Sequence, residues 1–170
     1  MRLQDKIRDI PDFPEKGIIF KDITPLIGDP EGFKATIDQL AAACKGKSVG
    51  SIVALESRGF IFGAPLAYHL GVGFVPVRKQ GKLPAETFKM EYSLEYGTNV
   101  VEIHRDALKP GERVLIVDDL LATGGTAAAA ARLVEQVGAV VAGFVFVIEL
   151  AFLNGREKLP DYDVVSLIQY

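Results

Sequence analysis

The chain has 170 residues, 49% hydrophobic and 24% charged, and its 22 acidic and 19 basic side chains give a formal net charge of -3. That length fits one domain whose core needs no covalent or metal staple, and the single cysteine, Cys44, excludes an internal disulfide. The acidic balance speaks against a general nucleic-acid binder, no Cys/His cluster has zinc-ligand spacing, and no apolar run approaches the roughly 20 residues of a membrane span.

In chain order, MRLQDKIRDIPDF does not read as a signal peptide, so a cytoplasmic protein is expected. Leu3, Ile7 and Ile10 recur at helical intervals and predict a short amphipathic helix. The next segment, PDFPEKGIIFKDITPLIGDP, carries four of the nine prolines and excludes a long helix or a central strand. Asp29-Pro30 supplies an N-cap and a first-turn proline for a helix to about Ala43, followed by Cys44 as an inert core thiol.

Four apolar runs then read as buried strands: SIVAL (51–55), GFVPV (73–77), RVLIV (113–117) and VAGFVFVIEL (141–150). None alternates strictly, which is the pattern of a parallel sheet covered on both faces. Helical stretches at 60–70 and 125–137 separate them, so an α/β fold with a twisted, mostly parallel sheet flanked by helices is predicted. NVVEIH (99–104) is more polar and fits an edge or antiparallel strand, and YDVVSLI (162–168) a final one. Residues 78–98, RKQGKLPAETFKMEYSLEYGT, read as a long connection, either a mobile lid or a β-hairpin arm that packs on a partner.

The stretch VLIVDDLLATGGT (114–126) poses the chemical question. An apolar strand runs straight into two carboxylates, which cost several kcal/mol to bury without partners. A turn of small residues follows and opens a helix. Unpaired N–H groups at a helix start, aided by the helix dipole, cradle phosphate. Ala122, Thr123, Gly124, Gly125 and Thr126 therefore read as a phosphate turn, although neither G-x-x-x-x-G-K-[ST] nor G-x-G-x-x-G is present. Asp118 and Asp119 can accept hydrogen bonds from a ribose diol, so the two features together predict a sugar-phosphate site. Nearby carboxylates would also stabilise an oxocarbenium-like transition state at C1′.

A pyrophosphate leaving group needs cations. Arg58, in ALESRGFIFG after the first buried strand, and Arg78, Lys79 and Lys82, after the second, are placed to supply them.

VLIVDDLLATGGT resembles the phosphoribosyl-pyrophosphate (PRPP) signature of type I phosphoribosyltransferases. FPEKGIIFKDITPL, ALESRGFIFG, VRKQGKLP, YSLEYGT and ELAFLNGREKL look like the adenine-using branch of that family, in order along nearly the whole chain. The resemblance implies that fold over residues 1–170, with a hood at 1–28 and a mobile lid at 78–98. It implies transfer of the 5-phosphoribosyl group from PRPP to adenine, giving AMP and pyrophosphate in purine salvage. Mg²⁺ would be bound mainly through PRPP rather than by a protein metal site, and the enzyme would be a homodimer.

Residue by residue, the resemblance assigns Asp118 and Asp119 to the ribose diol and residues 122–126 to the 5′-phosphate. Glu56, Ser57 and Arg58 would form a pyrophosphate loop with a cis bond between the first two, completed by Arg78, Lys79 and Lys82. Backbone groups near Ile19, Phe20 and Lys21 would read adenine, with Phe20 stacking and Leu150 packing on the other face. Lys21 stands where family members often carry Arg. Glu95 would manage the proton on the purine imidazole, and Tyr96 would shape the closed lid. Glu102, Glu149, His69 and His104 read as structural or surface groups.

Two other functions compete: the same chemistry on an oxopurine, and a PRPP-sensing regulator. The apolar IELAFL offers no donor to a 6-oxygen, and about 28 residues before the first long helix are too few for a winged helix.

Overall fold

A computed structural model describes residues 1–94 and 96–170. The chain opens with a single 3₁₀ turn at Leu3–Lys6, then β1 (Arg8–Pro11) and β2 (Ile19–Asp22), which pair antiparallel as a separate two-stranded sheet. The helix expected from Leu3, Ile7 and Ile10 is therefore cut short. Only Leu3 is buried in the core, and Arg8 and Asp9 extend into a ladder with Asp22 and Lys21 that ion pairs reinforce. Cross-strand charge pairing outweighs a weak local helical pattern here.

A short helix α1 (Thr24–Gly28) leads into α2 (Pro30–Ala43). Asp29 caps α2 as expected, its carboxylate accepting from the Gly32 N–H at 2.8 Å. Cys44 follows directly and is buried.

The main sheet is formed by β3 (Ser51–Leu55), β4 (Gly73–Lys79), β5 (Thr87–Ser93), β6 (Thr98–His104), β7 (Arg113–Leu121), β8 (Val140–Glu149) and β9 (Val164–Gln169). Among the described residues their order is β5-β6-β4-β3-β7-β8-β9. The five strands from β4 to β9 run parallel, whereas β6 is antiparallel to both β4 and β5. Helices α3 (Arg58–Leu70) and α4 (Gly125–Val137) follow β3 and β7.

The absence of strict alternation in these strands now has its explanation. Val53, Val114, Ile116, Phe144 and Phe146 join one core cluster, and their chain neighbours Ile52, Leu115, Val117, Val145 and Val147 join a second. Consecutive side chains point to opposite faces of a strand, so both faces of the sheet are covered. The first core lies under the alanine-rich α4, and the second under α2 and α3.

The stretch 78–98 is not a structureless connection. Arg78 and Lys79 complete β4, and Thr87–Ser93 forms the edge strand β5, paired in register with β6 from Thr87–His104 to Ser93–Thr98. NVVEIH is antiparallel as expected but lies inside the sheet, and β5 takes the edge. Phe88, Met90 and Tyr92 alternate with Lys89, Glu91 and Ser93, and the three apolar residues pack on the core. Charge and tyrosine content hid a strand with a period of two.

Candidate active site

The crevice lies where the chain changes direction across the sheet. From β3 it crosses through α3 to β4 on one side, while β7 occupies the other side of β3. Ligands of open parallel sheets bind at the carboxyl ends of strands flanking such a switch point. A cavity of about 440 Å³ opens there, lined by Glu56, Ser57, Arg58, Lys79, Asp118, Asp119 and Thr126. Seven residues singled out by sequence thus meet at one site, from the ends of three neighbouring strands.

Asp118 and Asp119 are not at the tip of β7 but within it, since the strand continues to Leu121. The extension follows from pairing: Asp118 lies opposite Phe146 on β8, and Leu120 and Leu121 lie opposite Ile148 and Glu149. Asp119 is buried and forms an ion pair with Arg58, Oδ2 to Nε 2.8 Å. Asp118 Oδ1 accepts from the Asp119 N–H at 2.8 Å. Burial, followed by the Asp119 charge, raises the Asp118 carboxyl well above the usual range. The Arg58 charge opposes this shift, as the weakest of the influences on it.

The turn at 122–126 is built as its composition demands. Gly124 adopts φ 86° at the start of α4, and among the described residues no side chain caps that helix, so its first-turn N–H groups have no capping partner. The turn borders a second cavity of about 90 Å³, which shares Asp118 and Thr126 with the larger one. Leu150 joins this region through its backbone, its N–H donating to the Leu121 carbonyl at 2.9 Å.

On the other side, the Glu56–Ser57 peptide bond is cis, and Arg58 opens α3. Glu56 accepts from the Lys79 N–H at 2.7 Å and from Arg78 Nη2 at 3.2 Å. Burial pushes its carboxyl up, but these contacts outweigh that effect and leave it below the ordinary value. Its carboxylate therefore ties the ends of β3 and β4 together. Arg78 stands behind it, outside the cavity lining, and its buried Nε has no hydrogen-bond partner among the described residues. Lys82 is exposed in the turn beyond β4.

The N-terminal hairpin reaches the site through Phe20, whose ring centroid lies 5.2 Å from the Arg58 guanidinium. Lys21 turns instead to Asp9 at 2.7 Å and to the Tyr170 ring at 3.8 Å. Among the described residues β2 has a neighbour on one side only, so alternate N–H and C=O groups near Ile19–Lys21 point away from the hairpin. Tyr96 is exposed, and Glu95 lies outside the described residues.

Sequence reasoning did not single out Tyr92, Leu94 and Asn99, which also line the larger cavity. It also missed Lys158, whose Nζ lies 3.9 Å from where a Cβ on Gly125 would stand. Period-two spacing in TFKMEYS could have found Tyr92, whereas Lys158 carries no local signal. Glu149, read as structural, is buried and accepts from Arg156 at 2.7 and 2.8 Å and from Ser166 and Gln169. Glu102 is buried against Lys89, and His104 Nε2 accepts from the Ala85 N–H at 3.2 Å.

Residues 27–169 match the family model for the phosphoribosyl transferase domain. The adenine phosphoribosyltransferase of Clostridium perfringens is 62% identical over 170 residues, covering 100% of this chain and 99% of that protein. The crystal structure of adenine phosphoribosyltransferase from Thermoanaerobacter pseudethanolicus superimposes with a TM-score of 0.97 at 60% identity, covering 99% of this chain and 98% of the other. That of the Saccharomyces cerevisiae enzyme, complexed with an imino-altritol bisphosphate and adenine, gives 0.92 at 48% identity, covering 97% and 96%. The crevice geometry and these similarities converge: the chain belongs to the phosphoribosyltransferase family, in its adenine phosphoribosyltransferase branch.

Proposed function

We infer that this enzyme transfers the 5-phosphoribosyl group from PRPP to adenine, forming AMP and releasing pyrophosphate. The observation that carries the reading is the meeting of Asp118, Asp119, Arg58 and Thr126 in one cavity beside an uncapped helix start. That set matches the parts of PRPP in order: a 5′-phosphate for the turn, a diol for the carboxylates, and a pyrophosphate for the cations. Membership in a branch whose yeast relative was crystallised with adenine supports the choice of base.

In this reading, adenine N9 bonds to C1′ as the bond from C1′ to the pyrophosphate oxygen breaks, and the N9 proton leaves. Positive charge develops on the ribose ring in between. Asp118 and Asp119, which line the cavity where that charge develops, stabilise it in the transition state, which is the condition for catalysis. Arg58, Ser57 and Lys79 receive the pyrophosphate, and Arg78 and Lys82 add charge behind them. Phe20 and the free edge of β2 hold adenine against Leu150.

PRPP is taken as its Mg²⁺ complex, in which the metal offsets the pyrophosphate charge. Asp118, Asp119 and Glu56 line the cavity, and their oxygens would face a metal carried in on the substrate. The same reading carries Glu95 as the group handling the purine proton, the stretch 78–98 as a lid over the bound substrates, a homodimer, and a cytoplasmic location.

The test is AMP formation from PRPP and Mg²⁺ with adenine, hypoxanthine, guanine and xanthine in parallel. Turnover with adenine alone is expected. Turnover with an oxopurine would overturn the base pocket while keeping the PRPP site, and PRPP binding without any turnover would point to a sensor.

A further inference from the structure

Tyr92 connects the edge hairpin to the phosphate turn. Its ring packs on the core that lies under α4, which anchors it independently of the hairpin tip. Its hydroxyl oxygen accepts from Thr126 Oγ1 at 3.0 Å. Its Cδ2 lies 3.4 Å from where a Cβ on Gly125 would stand, so the ring lies directly against the first residue of α4. Tyr92 also lines the cavity that holds Asp118, Asp119 and Arg58.

We propose that Tyr92 is a positioning residue for the 5′-phosphate, its hydroxyl holding the Thr126 hydroxyl in the orientation from which it donates to a phosphate oxygen. This rests on the transferase reading above. Each hydroxyl has one proton to donate and lone pairs to accept. Without ligand, Thr126 gives its proton to Tyr92. Once a phosphate oxygen accepts from the Thr126 hydroxyl, the Tyr92 O–H rotates to donate to Thr126 Oγ1, and a chain of hydrogen bonds runs from Tyr92 through Thr126 to phosphate. Neither hydroxyl then loses its partner, and each bond polarises the next. A phenylalanine at 92 would keep the packing but leave Thr126 free to turn away.

The experiment compares the parent with Tyr92→Phe, Thr126→Val and the double variant. It reads ribose 5-phosphate affinity by calorimetry, the PRPP KM at saturating adenine, and the adenine KM at saturating PRPP. Tyr92→Phe is expected to weaken ribose 5-phosphate and PRPP by roughly 3- to 10-fold, the range for one hydrogen bond, with the adenine KM changed by less than about twofold. In the double variant it should add nothing to the loss from Thr126→Val, because both changes remove the same chain. Ribose 5-phosphate binding within about twofold of the parent would overturn the proposal. So would full additivity, or an adenine KM that rises as much as that of PRPP. A parent that forms no AMP would instead sink the transferase reading, and the ribose 5-phosphate comparison would still decide the role of Tyr92.

Discussion

Gly124 and Gly155 meet backbone to backbone: a Cβ on Gly124 would lie 2.4 Å from the Gly155 carbonyl oxygen, and one on Gly155 would lie 2.5 Å from that of Ala122. The phosphate turn is thus braced by a 3₁₀ turn at Gly155–Lys158, which the Arg156–Glu149 ion pair fastens to β8. Neither obstacle is a flexible side-chain end, so a substitution must displace the turn itself. Gly155→Ala is expected to cost about 1–3 kcal/mol of stability and to raise the PRPP KM more than the adenine KM. Thermal melting and steady-state kinetics check both, and an unchanged KM for PRPP would show that the brace does not shape the turn.

Charge at the ribose should dominate catalysis. Asp118→Asn with Asp119→Asn is expected to lower kcat/KM for PRPP by at least about 10²-fold, the scale for one group stabilising transition-state charge. Asp119→Asn alone also frees Arg58, so its loss should appear more in binding than that of Asp118→Asn. Near-normal kinetics in the double variant would remove the ribose assignment.

Asp22 should give the N-terminal hairpin a defined acid sensitivity. Hydrogen bonds from the Thr24 hydroxyl and N–H, then from Arg8, hold its pKa at about 2 against an ordinary 3.8. A carboxyl with a lowered folded-state pKa stabilises the fold above its unfolded value and loses that contribution as pH falls through the folded one. Urea melts of the parent and Asp22→Asn should therefore differ by a constant amount above about pH 5. The difference should shrink between about pH 4 and pH 2. A difference independent of pH over that window would contradict the assignment.

Cys44 should be inert in the folded protein. Burial raises its thiol to about 11, so at pH 8 only ~10⁻³ of it is the reactive thiolate. A disulfide reagent at pH 8 should label the native chain slowly and the urea-unfolded chain fast. Equal rates would place the thiol at the surface.

If 78–98 closes over substrate, amide exchange across 79–94 should slow when PRPP and Mg²⁺ are added. The slowing should be strongest beyond the register that β5 already shares with β6. An exchange pattern indifferent to ligand would leave the segment as a fixed arm.

Much of this protein was legible along the chain. Asp29-Pro30 announced α2 because capping is a contact over three residues, and SIVAL and RVLIV announced buried strands because their apolar runs leave no face for water. VLIVDDLLATGGT sets two carboxylates and a small-residue turn a few residues apart on one strand-turn-helix unit, so the groups that the proposed site needs are neighbours in sequence. What the tertiary structure decided involves partners far apart in sequence. Leu3, Ile7 and Ile10 do not make a helix because Arg8 and Asp9 find Asp22 and Lys21 across a ladder. The stretch around Tyr92 is a strand because β6 and α4 cover one of its faces. The pairing of Arg58 with Asp119, the strut from Glu56 to Lys79 and the bond from Thr126 to Tyr92 join residues 61, 23 and 34 positions apart. Local sequence determines which groups each strand end can offer, because short-range sterics and capping act within a few residues. Which of them share one crevice depends on the order of strands in the sheet, which brings distant segments within hydrogen-bonding reach.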